Sequence, residues 1–317
     1  MWVRYCGRAL VGLTLLFGSA AVNAQTKVTV ASTSKQIIDN LPFFVAQETG
    51  IMKKHGLVLE TTHFSGGGEV VRAVSTSVAD IGMVSTSAAI VAIARGEPLK
   101  LISAWTAPAY GIVWIVPSDS KVKTIADLAG QKVGISRPAS VSHTGLLAAL
   151  KANGLTDKVQ VVPVGGPGDS WAALTSNRVQ ASWHTAPDVY GLIESGKARL
   201  LFKINEYLTK YQQGALIATK TTIAKKGPIV KKFLEAMQEA DRYIEEHPDE
   251  AAAISAKITE VDGKFTKQVL SEAPSGFFKV GAPTRDNIAG SMVEAVATGS
   301  LKKEPSYDDI VDVSLLP

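Results

Sequence analysis

The sequence predicts an α/β protein in two lobes, and three observations predict it. The segment 73–96 reads as a helix end, a short strand, a polar break and a helix closed by glycine, and the segment 173–196 repeats that order, with Val179 standing where Val78 stood. Short β-branched runs alternate with amphipathic helical windows along most of the chain, the pattern of strand–helix units. The 293 residues beyond position 24 reach the upper end of the ~250–300 at which a single core usually divides. The polar breaks of the two copies hold Ser85, Thr86 and Ser87 in one and His184, Thr185 and Pro187 in the other. Small polar groups at the carboxyl ends of strands suit one ligand held between the lobes, since open α/β sheets bind at that edge.

The first 24 residues read as a cleavable export signal. Arg4 and Arg8 precede an apolar run over 9–22, and Val22-Asn23-Ala24 is a small-x-small cleavage site. The run is shorter than the ~20 residues of a spanning helix. The single cysteine, Cys6, lies ahead of the run, so no lipid anchor is expected and the remaining 317 − 24 = 293 residues hold no cysteine. Disulfides, thiolate metal sites and a cysteine nucleophile are thereby excluded from that part. The whole chain carries 33 basic and 29 acidic residues; without Arg4 and Arg8 the balance is +2, and the basic residues are dispersed. No nucleic-acid footprint is expected.

In chain order, a strand over 28–31 ends in Ser32, Thr33 and Ser34. A helix follows, with Asn40 as cap and Pro42 in its first turn. Next come a strand over 58–63, the turn Ser65-Gly66-Gly67-Gly68, a helix over 69–77, a strand over 80–84 and a helix over 87–95 stopped by Gly96 and Pro98. A strand over 99–104 leaves Trp105 at its end. Between Thr106 and Gly111 the chain changes lobe. Strands are expected over 112–116, 132–135, 159–164 and 199–202, with a capped turn at Thr124–Asp127, a helix from Val141 to Asn153, a glycine-rich turn over 165–168 and a helix over 171–176. After about Tyr211 the chain returns, with a strand over 215–218. Helices then dominate from Pro228, over 251–258, 264–273 and 285–298. The division is therefore 25–110 with 212–317 in lobe I and 111–211 in lobe II, joined by two crossings that make a hinge.

The phrases LPFFVAQETGIMKKHGLVLE, the triple-glycine turn, SVADIGMVSTSA, ARGEPLKLIS, TIADLAGQKVGIS and RVQASWHTAP, in this order behind an export signal, resemble the substrate-binding proteins of bacterial ABC importers. The likeness is to the branch that handles nitrate, taurine, aliphatic sulfonates and related small acids. It implies a type II periplasmic binding-protein fold, each lobe a mixed, mostly parallel sheet flanked by helices. It further implies a monomer in the periplasm that closes on a small-molecule ligand and docks on an ABC permease. The same superfamily includes enzymes that make the thiamine pyrimidine; these resemble a cysteine-rich pattern that is absent here.

The sharpest local feature is SRPASVSHTG over 136–145. A capped helix start offers unpaired N–H groups to an anion, and Arg137 adds a bidentate clamp. Ser140, Val141, Ser142 and His143 are the second-lobe candidates beside Arg137. From the first lobe come Ser32, Thr33, Ser34, Gly66, Gly67, Gly68, Ser85, Thr86 and Ser87. Each of these three groups is explained singly by turn chemistry, but their shared placement at strand ends points to a common cleft. Trp105 and Trp183, with His184 and Thr185, stand at strand ends; Tyr110 and Trp171 are further aromatics. The histidines form no close metal pair, and Gly168-Asp169-Ser170-Trp171-Ala172 lacks the last glycine of a nucleophile elbow, so neither a metal, a cofactor nor a catalytic group is expected. The reading is a receptor, not an enzyme, for a sulfonate or carboxylate. Two others stay open: a receptor for a nitrogen heterocycle stacked between Trp105 and Trp183, and an exported α/β enzyme.

Overall fold

The computed structural model describes residues 1–2, 25–64, 66–138, 140–297 and 300–317, without the side chains of Glu294 and Ala297. Cys6, the apolar run 9–22 and the cleavage site at 22–24 lie outside the described residues, as do Ser65 and Ala139.

Strand β1 (Thr26–Ser32) leads through a 3-10 turn, Ile38–Asn40, into helices α1 (Leu41–Glu48) and α2 (Ile51–Lys54). Strand β2 (Leu57–His63), helix α3 (Gly67–Ser75), strand β3 (Ile81–Ser85), helix α4 (Thr86–Ala94) and strand β4 (Leu99–Thr106) follow. Next are strands β5 (Ile112–Pro117) and β6 (Lys132–Ile135), helix α5 (Val141–Ala152), strand β7 (Gln160–Pro163), helix α6 (Pro167–Thr175), strand β8 (Ala181–Thr185), helix α7 (Val189–Glu194) and strand β9 (Ala198–Lys203). The last stretch holds strand β10 (Gly214–Thr219), helices α8 (Lys220–Glu246), α9 (Pro248–Thr259) and α10 (Gly263–Glu272), strand β11 (Phe278–Gly281), and helices α11 (Arg285–Ala297) and α12 (Tyr307–Ile310).

Two mixed sheets result, each flanked by helices. One has the order β11-β4-β10-β3-β1-β2, the other β7-β6-β8-β5-β9. In the first, β1 runs parallel to β2 and β3, and β10 opposes both β3 and β4. In the second, β6 runs parallel to β7 and β8, and β5 opposes β8 and β9. The chain passes between the sheets twice, from Thr106 to Ile112 and from Lys203 to Gly214. Apolar packing does not divide at that waist: Trp105, Tyr110, Trp114 and Tyr211 belong to one buried cluster that reaches both sheets. A separate cluster, with Ala31, Val70, Ile90, Leu101 and Ile288, covers the other face of the first sheet.

The repeat is real in the backbone, but its register differs from the sequence reading by one residue. Ser77 and Asn177 both take left-handed angles, φ 60° and 56°, and β3 and β8 start at 81 and 181, an offset of 100 and not 101. Val78 is 69% exposed whereas Val179 is 1% exposed, so Val179 is the partner of the buried Ala79. Burial, and not residue identity, fixes which valine matches which.

Two helix starts also move. Helix α6 begins at Pro167, four residues before the expected start, because proline suits the first turn of a helix. Helix α8 begins at Lys220, where the Thr219 hydroxyl accepts from the Thr222 N–H at 2.9 Å. It kinks at Lys226 (φ −118°, ψ 17°), just before Pro228, which lacks the N–H that would continue the ladder. Its buried face carries Val230, Phe233, Leu234, Met237 and Ile244, as the spacing predicts. Strand β11 was not expected; four residues at a sheet edge are too few for a periodic signal.

Candidate functional site

Between the sheets lies a cavity of about 180 Å³. That is of the order of the ~150 Å³ cavity that holds one benzene-sized molecule. Four helices begin on its wall: α3 at Gly66 and Gly67, α4 at Ser85, α5 at Ser140, Val141 and Ser142, and α6 at Gly166 and Pro167. Two rise from each sheet. Among the described residues, the starts of α3 and α4 have no side-chain cap, while at α6 the Asp169 carboxylate accepts from the Gly166 N–H at 3.2 Å; each helix start carries partial positive charge. The rest of the wall is largely apolar: Ile37, Ile38, Met83, Val84, Tyr110, Ile112, Trp183 and Ala186.

On the second-sheet side, three hydroxyls form a closed triangle. Ser136 Oγ lies 2.9 Å from Ser140 Oγ and 2.8 Å from Ser142 Oγ, and the last two are 2.9 Å apart. Ser140 Oγ caps α5 by accepting from the His143 N–H at 3.2 Å and donates to the Arg137 carbonyl at 2.8 Å. The cap thus fixes the backbone that carries Arg137 to the cavity. A Cβ added at Gly66 would stand 2.8 Å from Arg137 Cζ, so the guanidinium reaches across to the start of α3. Only a residue without a side chain permits that approach. Trp183 is held by its indole N–H donating to the Gly165 carbonyl at 3.2 Å. Thr185 is 6% exposed, and its hydroxyl has no hydrogen-bond partner among the described residues.

The first-sheet side contributes a carboxylate. The Gln213 side-chain oxygen accepts from the Tyr110 N–H at 2.7 Å, which turns its amide nitrogen toward Asp39 Oδ1 at 3.3 Å. Burial pushes the Asp39 carboxyl up to about 6, against the opposing pull of the Thr106 hydroxyl and the Gln213 amide. Among the described residues that line the cavity, the charged side chains are Asp39 and Arg137.

Of the residues singled out from sequence, Thr33, Ser34, Gly66, Gly67, Ser85, Arg137, Ser140, Val141, Ser142, Trp183 and Thr185 line the cavity. Ser32 does not: it is fully buried and donates to Asn40 Oδ1. Asn40 stands at the N-cap position of α1 as expected, but its side chain makes no cap bond and its amide instead holds the Ser34 carbonyl at 2.8 Å. Gly68 sits inside α3, and Thr86 and Ser87 are buried in the first turn of α4. His143 contributes its backbone to the α5 cap and stays half-buried off the wall. His184 points to the opposite face of β8 from Trp183 and Thr185, because side chains alternate along a strand. There its Nδ1 accepts from the Thr185 N–H at 3.0 Å, and burial lowers its basicity.

Trp105 is the largest departure. It is 1% exposed, stacks on Phe43 with ring centres 4.7 Å apart, and donates its indole N–H to the Asp39 carbonyl at 2.8 Å. It supports the residue that faces the cavity and cannot sandwich a heterocycle against Trp183. Sequence reasoning missed Ile37, Asp39, Gln213 and Ser136, and ranked Tyr110 low. Ser136 had a signal, as it opens the loop already singled out; the others lie in phrases that read as ordinary helix or strand ends. Among the described residues there is no group of three or more His, Cys, Asp or Glu placed to hold a metal, and no helix long and apolar enough to cross a membrane.

A family model described as NMT1/THI5 like matches residues 38–251. The chain is 26% identical over 220 residues to a Brucella abortus protein named as a binding protein, covering 69% of this chain and 67% of that one. It is 27% identical over 214 residues to an Escherichia coli protein named for binding aliphatic sulfonates, covering 67% and 65%. Among solved structures, the alkanesulfonate-binding protein SsuA from Xanthomonas axonopodis pv. citri, bound to MOPS, matches with a TM-score of 0.76 at 18% identity, covering 92% and 98%. At that identity the likeness shows the fold alone.

Proposed function

The chain belongs to the NMT1/THI5-like family, and from that premise we propose that it is a solute receptor of an ABC importer, taking one small organic anion between its lobes. One observation carries the reading: four helix starts, two from each sheet, meet Arg137 around a single small cavity. Helix N–H groups and a guanidinium offset the desolvation of an anion, and the isoleucine, tyrosine and tryptophan wall takes an apolar body. That combination suits a sulfonate or carboxylate with a carbon chain better than a bare inorganic anion. The sulfonate-binding names of the Escherichia coli and Xanthomonas proteins support the same class.

Mechanism follows from the two connections. A ligand touched by both lobes stabilises their closed arrangement by its differential affinity for it. The closed form then presents a surface to the permease, and the molecule is released intact. The export pattern of the sequence supports a periplasmic location.

The test is a thermal-shift screen of alkanesulfonates, carboxylates and pyrimidines, followed by calorimetry. A small sulfonate or carboxylate binds at one site per chain, and Arg137→Ala weakens it roughly 10–100-fold, the ~1.4–2.8 kcal/mol of one or two charge-assisted hydrogen bonds. Unchanged affinity in Arg137→Ala removes the anion role. Recovery of a chemically altered ligand would point to an enzyme instead.

A further inference from the structure

The cavity has two charged poles, and they belong to different lobes. Arg137 follows β6 of the second sheet; Asp39 precedes α1 on the first. The Asp39 carboxylate is held where it stands. The Trp105 indole donates to its backbone carbonyl at 2.8 Å, and the Gln213 amide donates to its Oδ1 at 3.3 Å. Gln213 is fixed in turn, since its side-chain oxygen accepts from the Tyr110 N–H at 2.7 Å. Among the described residues no cation pairs with Asp39, whose hydrogen-bond partners are neutral.

Resting on the organic-anion reading, we propose that Asp39 is a charge filter, which admits ligands with one negative charge and rejects those with two. The first charge of a bound acid is taken by Arg137 and the helix starts. A second charge, at the far end of a short carbon chain, arrives at the wall where Asp39 stands. Like charges in a small, largely apolar cavity repel far more strongly than they do in water. Arg137 and the helix starts alone would favour the doubly charged ligand, so selection against it needs a repulsive element, and Asp39 supplies one. Because the poles sit on opposite lobes, a dianion seated at Arg137 opposes the closed arrangement that a monoanion stabilises. Burial raises the Asp39 carboxyl to about 6, so it is ionised at pH 7.5 and mostly protonated at pH 5. The filter therefore acts at neutral pH and relaxes in acid. Around Asp39 the charged or titratable groups are Arg137 across the cavity, Lys35 exposed on the preceding loop, and the Tyr110 phenol, which burial keeps neutral. Glu272 reaches that phenol from α10 at 3.5 Å, and His63, its basicity lowered by burial, sits 3.0 Å from the Thr33 carbonyl.

Calorimetry with propane-1-sulfonate and propane-1,3-disulfonate tests the filter, because a sulfonate stays ionised from pH 5 to pH 7.5. At pH 7.5 the wild-type protein binds the monosulfonate about tenfold or more tightly than the disulfonate. The preference narrows to about threefold or less at pH 5 and, at both pH values, in Asp39→Asn. Butyrate and succinate repeat the comparison for carboxylates at pH 7.5. Equal binding of the two sulfonates by the wild type at pH 7.5, or an unchanged preference in Asp39→Asn, overturns the filter and leaves the organic-anion reading intact. A change of preference with pH that persists in Asp39→Asn belongs to His63 or His143 and overturns it equally. Binding of none of the four compounds overturns both readings. Should Asp39→Asn fail to fold by circular dichroism, Asp39→Ser replaces it, and if neither folds the pH comparison on the wild-type protein decides by itself.

Discussion

At the scale of single residues, the site depends on one close approach. Gly66 has extended backbone, φ −176°, so a side chain there brings no backbone strain and first meets Arg137. Gly66→Val is therefore expected to leave the stability of the unliganded protein within ~0.5 kcal/mol while weakening anion binding about tenfold or more. Denaturant melts and calorimetry on the same preparation separate the two effects; a large loss of stability with unchanged affinity would contradict this account of the glycine. The residues around Arg137 were legible because a serine cap, a helix and an arginine fall within ten positions of sequence. Asp39 and Gln213 were not, since they are 174 positions apart and meet only through the sheet. Trp105 misled for the same reason: a tryptophan at a strand end reads as a ligand contact, and only the packing of Phe43 beneath it shows otherwise.

At the scale of elements, the helices were legible from apolar spacing and their starts were less so. Periodicity locates the buried face of α8 but says nothing about the turn before Pro228, which the Thr219 cap recruits into the helix. The same helix holds a strained charge. Asp241 is 8% exposed, accepts the Val280 N–H at 3.1 Å, and burial pushes its carboxyl up to about 7. A carboxyl raised in the folded state binds protons that the unfolded chain has already released. Its contribution therefore falls as pH rises from about 4 to about 7 and stays unfavourable above. Asp241→Asn keeps an oxygen for the Val280 N–H and removes the charge. It is expected to stabilise the protein by roughly 2–4 kcal/mol at pH 8 and to make little difference at pH 4. Equal stability of the two proteins at pH 8 would show that the carboxylate carries no such burden.

At the scale of the whole molecule, the order of elements and the double passage of the chain were legible, because each strand–helix unit announces itself locally. Continuity of the apolar packing through the waist was not, since it depends on how the two sheets face each other. Behind the cavity, Glu272 of α10 accepts from the Tyr190 hydroxyl at 3.1 Å and from Lys203 at 3.2 Å, and Lys264 pairs with Glu194 at 2.7 Å. These contacts tie the chain's helical return to the second sheet. The proposed function places an organic anion where helix starts from both sheets meet Arg137. A crystal structure of the protein grown with a small sulfonate tests that claim most directly. The account predicts one molecule per chain between the sheets, its sulfonate oxygens within about 3.2 Å of the Arg137 guanidinium and of backbone N–H groups at the helix starts. A sulfonate seated elsewhere, or lying in the cavity with its oxygens turned away from Arg137, would contradict it.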